Sequence, residues 1–375
     1  MNAKKKNKMK LNYTNPIMDL VGKERNFLVI VLVGFLLAAA FFNNFYIAMW
    51  IGFAFAAYSA IANDSIQTIG TFIGSNMNTK WYHLWLYIGG IFLVVVTASF
   101  LIFDGDVSWQ RLAPKNGVDL YPLPENFSFL QIAAPLVLLI LTRLKMPVST
   151  TILLLSSFSA KVSGIEAMLM KSVGGYVLAF VLAVIVWYGL NSVIKKYFKK
   201  RKASKGWMIF QWTISGILWA VWIMQDAANI AVYLPRQLSW PEFIAFSLFI
   251  FGGLGVLFYQ RGDKIQQIVT KKTKISDVRA ATLVDMVYAL IMIYKLLDST
   301  IPMSTTWVFL GLLGGREITL NYMRNKSGSE HKSKAIKMAL RDAGSALLGL
   351  IISILLAMGI NDGIRQDVMR TFGLL

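Results

Sequence analysis

Long apolar stretches alternate with short polar ones along most of this chain. The long stretches run approximately over 26–43, 45–63, 83–104, 127–145, 172–194, 207–225, 241–260, 279–298 and 336–360. A helix of roughly 17 to 25 apolar residues can cross a bilayer, so each stretch predicts a transmembrane segment. Two shorter stretches, at 147–163 and 302–316, either span or re-enter the membrane, which gives eleven segments if both span. The pattern predicts an all-α polytopic membrane protein.

Composition supports this class and narrows the possible chemistry. Of the 375 residues, 56% are hydrophobic and 15% are charged, and the mean hydropathy of +0.56 is far above that of a soluble domain. The chain contains no cysteine, so it can form neither disulfides nor thiolate metal sites. It has two histidines, and both lie beside predicted helix ends, which argues against a hydrolase of the Ser-His-Asp type. We therefore expect neither an enzyme nor a cofactor, and no metal beyond a transported monovalent cation.

The net charge of +19 lies mainly between the apolar stretches. In a soluble protein such a charge suggests nucleic acid as a partner, but here the basic residues are topology signals that also attract lipid headgroups. With a cytoplasmic N-terminus, one side of the membrane receives Lys4 to Lys10, Arg143 and Lys145, Lys195 to Lys205, Arg261 to Lys274, and Arg324 to Lys337. We expect a multi-pass protein of the cell (inner) membrane, with membrane lipids and not nucleic acid as partners.

Four polar stretches set into apolar surroundings define an internal repeat. Asn63-Asp64-x-x-Gln67 is followed by Pro147-Val148-Ser149-Thr150-Thr151, and Gln225-Asp226-x-x-Asn229 is followed by Pro302-Met303-Ser304-Thr305-Thr306. Each copy comprises five segments, and because five is odd, the second copy enters the membrane in the opposite orientation. We expect two inverted-topology repeats with broken helices at the midplane, plus an extra N-terminal helix.

The domain organisation follows from this repeat. It comprises a cytoplasmic basic N-terminus at 1–25, the extra transmembrane helix at 26–43, the first repeat at 44–194, a cytoplasmic basic linker at 195–206, the second repeat at 207–360 and a C-terminal tail at 361–375. In inverted-repeat transporters, substrate and ion sites lie near the midplane between the repeats. The four polar stretches are therefore predicted to form one site.

The two aspartate motifs are predicted to bind a cation. On a helix, an aspartate and the residue three positions later share a face, so each motif presents a carboxylate and an amide oxygen together. Such oxygens suit a monovalent cation such as Na⁺, and a buried aspartate could instead take up H⁺. The predicted cation ligands are Asn63, Asp64, Gln67, Gln225, Asp226 and Asn229. The alternative is that both aspartates cap helix ends.

The two Ser-Thr-Thr stretches are predicted to start helices and to bind an anion. Proline is tolerated in the first turn of a helix, and the free N–H groups there attract negative charge. Two such starts facing each other could surround a tetrahedral oxyanion with backbone and hydroxyl donors. The predicted substrate ligands are Ser149, Thr150, Thr151, Ser304, Thr305 and Thr306. The alternative is that the hydroxyls bond back to their own helices.

Three basic residues are candidates for a gate or for charge compensation. Lys161 and Arg316 each stand ten residues after the last threonine of a Ser-Thr-Thr stretch, and Arg236 lies near the second aspartate motif. Lys161 and Arg316 could instead extend to the membrane surfaces. Asp285 and Lys295 lie on one predicted helix at a spacing that does not pair them, and the sequence assigns neither a role.

These motifs resemble those of the inorganic phosphate transporter (PiT) family, whose repeats carry a Gly-Ala-Asn-Asp-x-x-Asn type motif and a Pro-x-Ser-Thr-Thr motif. The resemblance covers about residues 60–360 and is closest from Ala62 through Thr71. It implies cation binding by Asn63, Asp64, Asp226 and Asn229, and phosphate binding by the Ser-Thr-Thr stretches. The family also includes sulfate permeases, and its members are often dimers, so a homodimer is expected here. Departures from its pattern are Gln67, Gln225, Ile152, Trp307 and the extra first helix.

The leading hypothesis from the sequence is cation-coupled symport of inorganic phosphate by alternating access. The alternative within transport is a proton-driven permease for sulfate or another oxyanion. An anion channel and a membrane enzyme acting on a phosphorylated lipid are further alternatives. A channel should show a continuous polar stripe along a helix, and an enzyme should bring a nucleophile and a base together. The sequence instead concentrates polar residues in the four repeated stretches.

Overall fold

A computed structural model describes residues 16–144, 146, 148–198, 203–260, 277–324, 330–371 and 373–374. All regular secondary structure in these ranges is helical. The helices are α1 (Pro16–Phe41), α2 (Phe45–Ser75), α3 (Trp81–Ile102), α4 (Phe129–Arg143), α5 (Thr150–Ser156), α6 (Val162–Phe198), α7 (Lys205–Ala231), α8 (Trp240–Tyr259), α9 (Val278–Asp298), α10 (Thr305–Arg324), α11 (Glu330–Ile360) and α12 (Asp362–Thr371).

Eight of the described helices are long and apolar enough to cross a membrane. The corresponding spans are Glu24–Phe41, Phe45–Asp64, Trp81–Ile102, Val162–Leu190, Lys205–Ala231, Trp240–Tyr259, Val278–Asp298 and Ala343–Ile360. Many large apolar side chains on them are exposed, for example Leu36 on α1, Val94 on α3 and Leu355 on α11, as lipid contact requires. The prediction of an all-α polytopic membrane protein is confirmed.

Several helices extend beyond the predicted apolar stretches. α2 continues to Ser75, so Asn63 and Asp64 lie inside an uninterrupted helix. α6 begins at Val162 and runs to Phe198, into the range predicted as the basic linker at 195–206. α12 occupies most of the predicted C-terminal tail at 361–375. Residues 1–15 of the predicted basic N-terminus lie outside the described residues.

The two Ser-Thr-Thr stretches start helices of different length. α5 has seven residues, which makes it about 10 Å long and too short to cross a bilayer. The chain then turns and enters α6, so the predicted segment at 147–163 is not one helix. α10 has 20 residues and is continuous. Helix interruptions therefore precede Thr150 and Thr305, whereas the aspartate motifs lie within helices.

The helices that begin at Thr150 and Thr305 pack closely against their neighbours. α10 packs along α6, α5 packs against α11, and α7 packs against both α2 and α9. Gly311 and Gly315 make the first of these contacts possible, because a Cβ atom would lie 2.3 Å from the Tyr176 oxygen at Gly311 and 2.4 Å from the Phe180 oxygen at Gly315. Small residues of this kind let helix backbones approach closely in membranes.

The long connection between α3 and α4 is a structured loop. Its Asp106 carboxylate accepts hydrogen bonds from the backbone N–H groups of Ser108 and Gln110, at 2.8 and 2.7 Å. The loop also contacts distant parts of the chain: Leu120 accepts a hydrogen bond from the backbone of Ala160, and Gly105 accepts one from Leu238. The α3–α4, α5–α6 and α7–α8 connections therefore lie on one face of the protein.

Candidate functional site

The first aspartate motif lies in the interior of α2 and is linked to the start of α5. Asn63 Nδ2 donates hydrogen bonds to Asp64 Oδ1 at 2.7 Å and to Thr150 Oγ1 at 3.5 Å, and its Oδ1 accepts one from Gln67 Nε2 at 3.1 Å. The Thr150 side chain also approaches the Asp64 carboxylate. Asp64 is buried, with 2% of its surface exposed.

The second aspartate motif lies in the last two turns of α7 and is linked to both threonine stretches. Asp226 Oδ1 accepts hydrogen bonds from Thr151 Oγ1 at 3.0 Å and from Asn229 Nδ2 at 2.8 Å. Asn229 Nδ2 also donates to Thr151 Oγ1 at 3.0 Å. The Thr305 side chain, at the start of α10, approaches the same carboxylate. Asp226 therefore joins three helices.

The two motifs meet at one buried place. The carboxylates of Asp64 and Asp226 are close enough to repel each other. Thr150 and Thr151 lie between them: the first contacts the motif on α2, and the second contacts the motif on α7. Successive side chains on a helix point about 100° apart, so one helix start can contact two neighbouring helices. We call this group, together with Thr305, the paired-aspartate site.

Several oxygen atoms of the paired-aspartate site have no hydrogen-bond partner among the described residues. They are Asp64 Oδ2, Asp226 Oδ2, Asn229 Oδ1 and Gln225 Oε1, and Gln225 Nε2 is also without one. A buried carboxylate oxygen without a partner is costly, and more so between two carboxylates. Carboxylate and amide oxygens are ligands for hard cations. Within the described ranges, this site included, no group of three His, Cys, Asp or Glu side chains could hold a metal ion, so amide and hydroxyl oxygens would have to complete any cation site.

The serines of the Ser-Thr-Thr stretches cap their own helices. Ser149 Oγ accepts a hydrogen bond from Ile152 N at 3.0 Å, and Ser304 Oγ accepts one from Trp307 N at 3.1 Å. The alternative interpretation, in which hydroxyls bond back to their own helix, therefore describes these two residues. Thr306 is buried beside Thr305 in the first turn of α10.

The three predicted gate residues make contacts away from the aspartates. Lys161 is exposed between α5 and α6. Arg236 donates to the carbonyl oxygens of Val232 and Leu234, at 3.1 and 3.0 Å, and to Tyr121 O at 2.6 Å, so it ties the end of α7 to the α3–α4 loop. Arg316 forms an ion pair with Glu317 at 2.9 Å and lies over the ring of Trp187.

A third buried carboxylate lies beside the site. Asp285 on α9 accepts hydrogen bonds from the hydroxyls of Thr71 on α2 and Ser215 on α7, the second at 2.6 Å. Thr71 follows Asp64 by two turns, about 10 Å along the helix. The sequence indicates the polar face of α2, because Asp64, Thr68 and Thr71 share one side of that helix. The hydrogen bonds that join Thr71 on α2 and Ser215 on α7 to Asp285 on α9 can be recognised only in the folded chain.

Two further buried basic residues lie near the site, and the sequence did not predict this position for them. Arg111, in the α3–α4 loop, donates to Ser299 O at 2.5 Å and to Met224 O at 3.4 Å, and its charge acts on Asp226. Lys171 on α6 donates to Ser299 O at 2.7 Å and to Ile301 O at 2.8 Å. Both surround the segment that leads into α10. Their partners are backbone carbonyls from distant elements, which local sequence spacing does not indicate.

This chain matches no protein family model, no curated protein and no protein of known structure. The resemblance to inorganic phosphate transporters therefore rests on the sequence motifs alone.

Proposed function

We propose that this protein is a secondary active transporter that moves inorganic phosphate together with a monovalent cation. The observation that carries the proposal is the junction of four predicted stretches in one buried site, in which Asp64 and Asp226 each keep one carboxylate oxygen without a partner. Intramembrane carboxylates of this kind mark ion pathways and binding sites.

Cation binding would relieve the electrostatic strain of the paired aspartates. Two carboxylates repel each other in a site that is almost closed to solvent, and Asn229, which donates to Asp226, has an amide oxygen without a described partner. A Na⁺ ion needs several such oxygens, and a proton needs only one. Both coupling ions are compatible with these side chains, and sodium is the one that uses the amide oxygens as well.

The threonines offer a route by which cation and oxyanion binding depend on each other. A hydroxyl has one hydrogen to donate and two lone pairs to accept or to coordinate. In the described conformation, Thr151 donates its hydrogen to Asp226. A cation bound to that carboxylate would release this hydrogen for donation to an oxyanion, while the hydroxyl oxygen faces the cation. The positive charge of the cation would also offset the negative charges of the two aspartates, which otherwise oppose anion binding.

The proposed topology follows the basic residues of the sequence. The connections on the face that carries the α3–α4 loop hold few Lys and Arg residues compared with those at the other ends of the same helices. By the positive-inside rule, the first face is outside the cell and the N-terminus is cytoplasmic. Two inverted repeats would then supply α2, α5, α7 and α10 to one site from opposite directions, and alternating access would expose it to each side in turn.

The test is uptake of labelled phosphate and labelled sulfate into liposomes that contain the purified protein. Sodium and proton gradients are imposed separately, and an ionophore that collapses each gradient serves as the control. We expect phosphate to accumulate against its concentration gradient only while a cation gradient is maintained. Accumulation of sulfate with a proton gradient alone would establish the alternative. If neither anion accumulates under either gradient, the protein is not the proposed transporter.

A further inference from the structure

Three basic residues gather on the face of the protein that carries the α3–α4 loop. Arg111 and Lys115 belong to this loop, and Lys171 belongs to α6. Their charges act on one another: Arg111 repels both lysines, and Lys115 repels Lys171. We call these three residues the basic cluster. It lies beside the segment at 299–304 that leads into α10.

The basic cluster carries an excess of positive charge. Asp226 acts on Arg111 alone, and Asp298 at the end of α9 forms an ion pair with Lys295 at 3.4 Å, so the two carboxylates do not offset all three cations. Arg111 is 2% exposed and donates only to backbone carbonyl oxygens in the hydrogen bonds described above. Like charges brought together away from solvent are unfavourable unless an opposite charge joins them.

Lys115 is the member that a structural role does not explain. Arg111 and Lys171 cap carbonyl groups at the end of α9, as cations commonly do at helix C-termini. The Lys115 ammonium is buried, yet it has no hydrogen-bond partner among the described residues. An ammonium with three donors and no acceptor is costly to bury, so its environment lacks an acceptor that a ligand would provide.

The basic cluster is adjacent to the paired-aspartate site. Arg111 donates to Met224 O, two residues before Asp226. Ser172, next to Lys171, accepts a hydrogen bond from Ser304 N at 2.8 Å at the start of α10. An anion held by the cluster would therefore lie beside the predicted oxyanion donors of the second Ser-Thr-Thr stretch.

We infer that Arg111, Lys115 and Lys171 form an oxyanion-binding site, at which an anion such as phosphate or sulfate is held before it reaches the paired aspartates. The assignment of this anion as a transported substrate rests on the proposed function. The binding itself does not, because it follows from the excess of charge and the unpartnered ammonium of Lys115.

The charge of Lys115 gives the site a pH dependence. Burial, with repulsion from Arg111, lowers the pKa of Lys115 to about 8. Burial also lowers the pKa of Arg111 to about 10, so that residue keeps its charge when Lys115 loses its own. Lys171 on α6 also faces Lys115, and Lys171 in turn faces the Lys295–Asp298 pair on α9. Anion affinity should therefore be high below pH 8 and fall above it.

The test measures sulfate binding to the purified full-length protein by isothermal titration calorimetry, with gluconate replacing sulfate in the blank. Sulfate remains a dianion throughout, so its own ionisation does not contribute. For Lys115→Gln we expect about tenfold weaker binding, the typical effect of losing one charge-assisted hydrogen bond. Between pH about 7 and about 9, binding to the wild type should weaken several-fold, and binding to the variant should weaken less over the same range.

Two further variants make the result specific. Lys115→Arg keeps the charge, so it should retain most of the affinity and show a weaker pH dependence than the wild type. Arg370→Gln removes an equal charge from an exposed position of α12 on the same face and should leave binding unchanged. Equal affinity and equal pH dependence in wild type and Lys115→Gln would overturn the inference.

Transport assays separate this inference from the proposed function. If both hold, Lys115→Gln should raise the phosphate concentration needed for half-maximal uptake and leave the maximal rate within about twofold, because the charge acts on capture. Lys115-dependent sulfate binding in a protein that moves no anion would keep the site and refute the transporter. Phosphate uptake with the same half-saturation in wild type and Lys115→Gln would keep the transporter and refute the site.

Discussion

Thr150 and Thr151 are neighbours in sequence, but their hydroxyl groups contact aspartates on different helices. Thr150 approaches Asp64 and accepts a hydrogen bond from Asn63 on α2, and Thr151 donates one to Asp226 on α7. The short helix α5 therefore sets the separation of the two carboxylates as much as α2 and α7 do. A hydroxyl that can both donate a hydrogen and coordinate a cation is suited to this position.

Replacing Thr151 should weaken cation binding without removing a carboxylate. Thr151→Val is similar in size, but it loses the hydrogen bonds to Asp226 and Asn229. Since one hydrogen bond to a charged group contributes about 1.5–3 kcal/mol, we expect the cation concentration for half-maximal phosphate uptake to rise about tenfold or more. Thr151→Ser should restore most of the loss, and Thr213→Val, at an exposed position of α7, should have no effect. An unchanged cation requirement in Thr151→Val would contradict a role for this hydroxyl.

Neutralising either aspartate should uncouple transport from the cation. Asp64→Asn and Asp226→Asn keep the side-chain shape and remove a carboxylate that the proposed cation would neutralise. We expect cation-dependent phosphate uptake to fall at least about tenfold in each variant, with normal folding by size-exclusion chromatography. Asp362→Asn changes an exposed aspartate of α12 and is the matched control. Wild-type cation dependence in both site variants would remove the ion-site assignment.

The sequence identified the centre of the site better than its surroundings. Asp64 and Asp226 were found because polar side chains stand out in apolar segments, and the repeated motif linked them. Gln225, predicted as a ligand, is buried with both amide atoms unpartnered among the described residues, and its role as a ligand stays a prediction. Arg111 was not assigned to the site, because a loop residue more than a hundred positions from Asp226 can be placed there only by the folded chain. Arg236 was predicted as a gate, but its hydrogen bonds go to backbone carbonyl groups.

Helices were predictable wherever hydropathy alone determines them. The apolar stretch at 241–260 corresponds to α8, Trp240–Tyr259, because nearly all its residues face lipid or other helices. α6 begins ten residues before its predicted apolar stretch, since Glu166 and Lys171 lower the hydropathy of its first turns. The end of α5 at Ser156 was missed because Leu153 to Leu155 continue the apolar pattern up to the turn.

The packing of α10 on α6 predicts that alanine substitutions at two adjacent glycines change the stability of the protein differently. A Cβ atom at Gly315 would lie 2.4 Å from the backbone oxygen of Phe180, whereas one at Gly314 would lie 3.8 Å from the Phe180 ring, at an ordinary contact distance. Gly315→Ala should destabilise the protein by about 1–3 kcal/mol, because a backbone atom would have to move. Gly314→Ala should be neutral or slightly stabilising, because alanine favours the helix by up to about 1 kcal/mol.

Thermal unfolding in detergent measures this difference. The melting temperature of Gly315→Ala should fall below that of the wild type, and that of Gly314→Ala should stay equal or rise. The two variants differ by one position and carry the same substitution, so helix propensity cancels between them. A similar melting temperature for both would show that α6 and α10 can separate locally without cost.

The complete fold places polar groups along a path that no single segment shows. Thr68, Thr71 and Asp285 continue from the paired-aspartate site toward the end of α2, where Asn76 Nδ2 donates to Gln211 Oε1 at 3.0 Å. The basic cluster lies beside the site on the opposite face, where the α3–α4 loop contacts the end of α9. Polar side chains therefore approach the paired aspartates from both faces, as a site with alternating access requires.

Alternating access can be tested with engineered cysteines because the natural chain contains none. Thr306→Cys places a thiol in the first turn of α10, where Thr306 is buried beside the paired-aspartate site. In sealed vesicles, a charged thiol reagent should label it from only one side under a given ionic condition, and saturating cation and phosphate should protect it. Glu125→Cys, exposed in the α3–α4 loop, marks the side on which the reagent acts. Labelling of Thr306→Cys from both sides under one condition would show a continuous pore, and the protein would then be a channel.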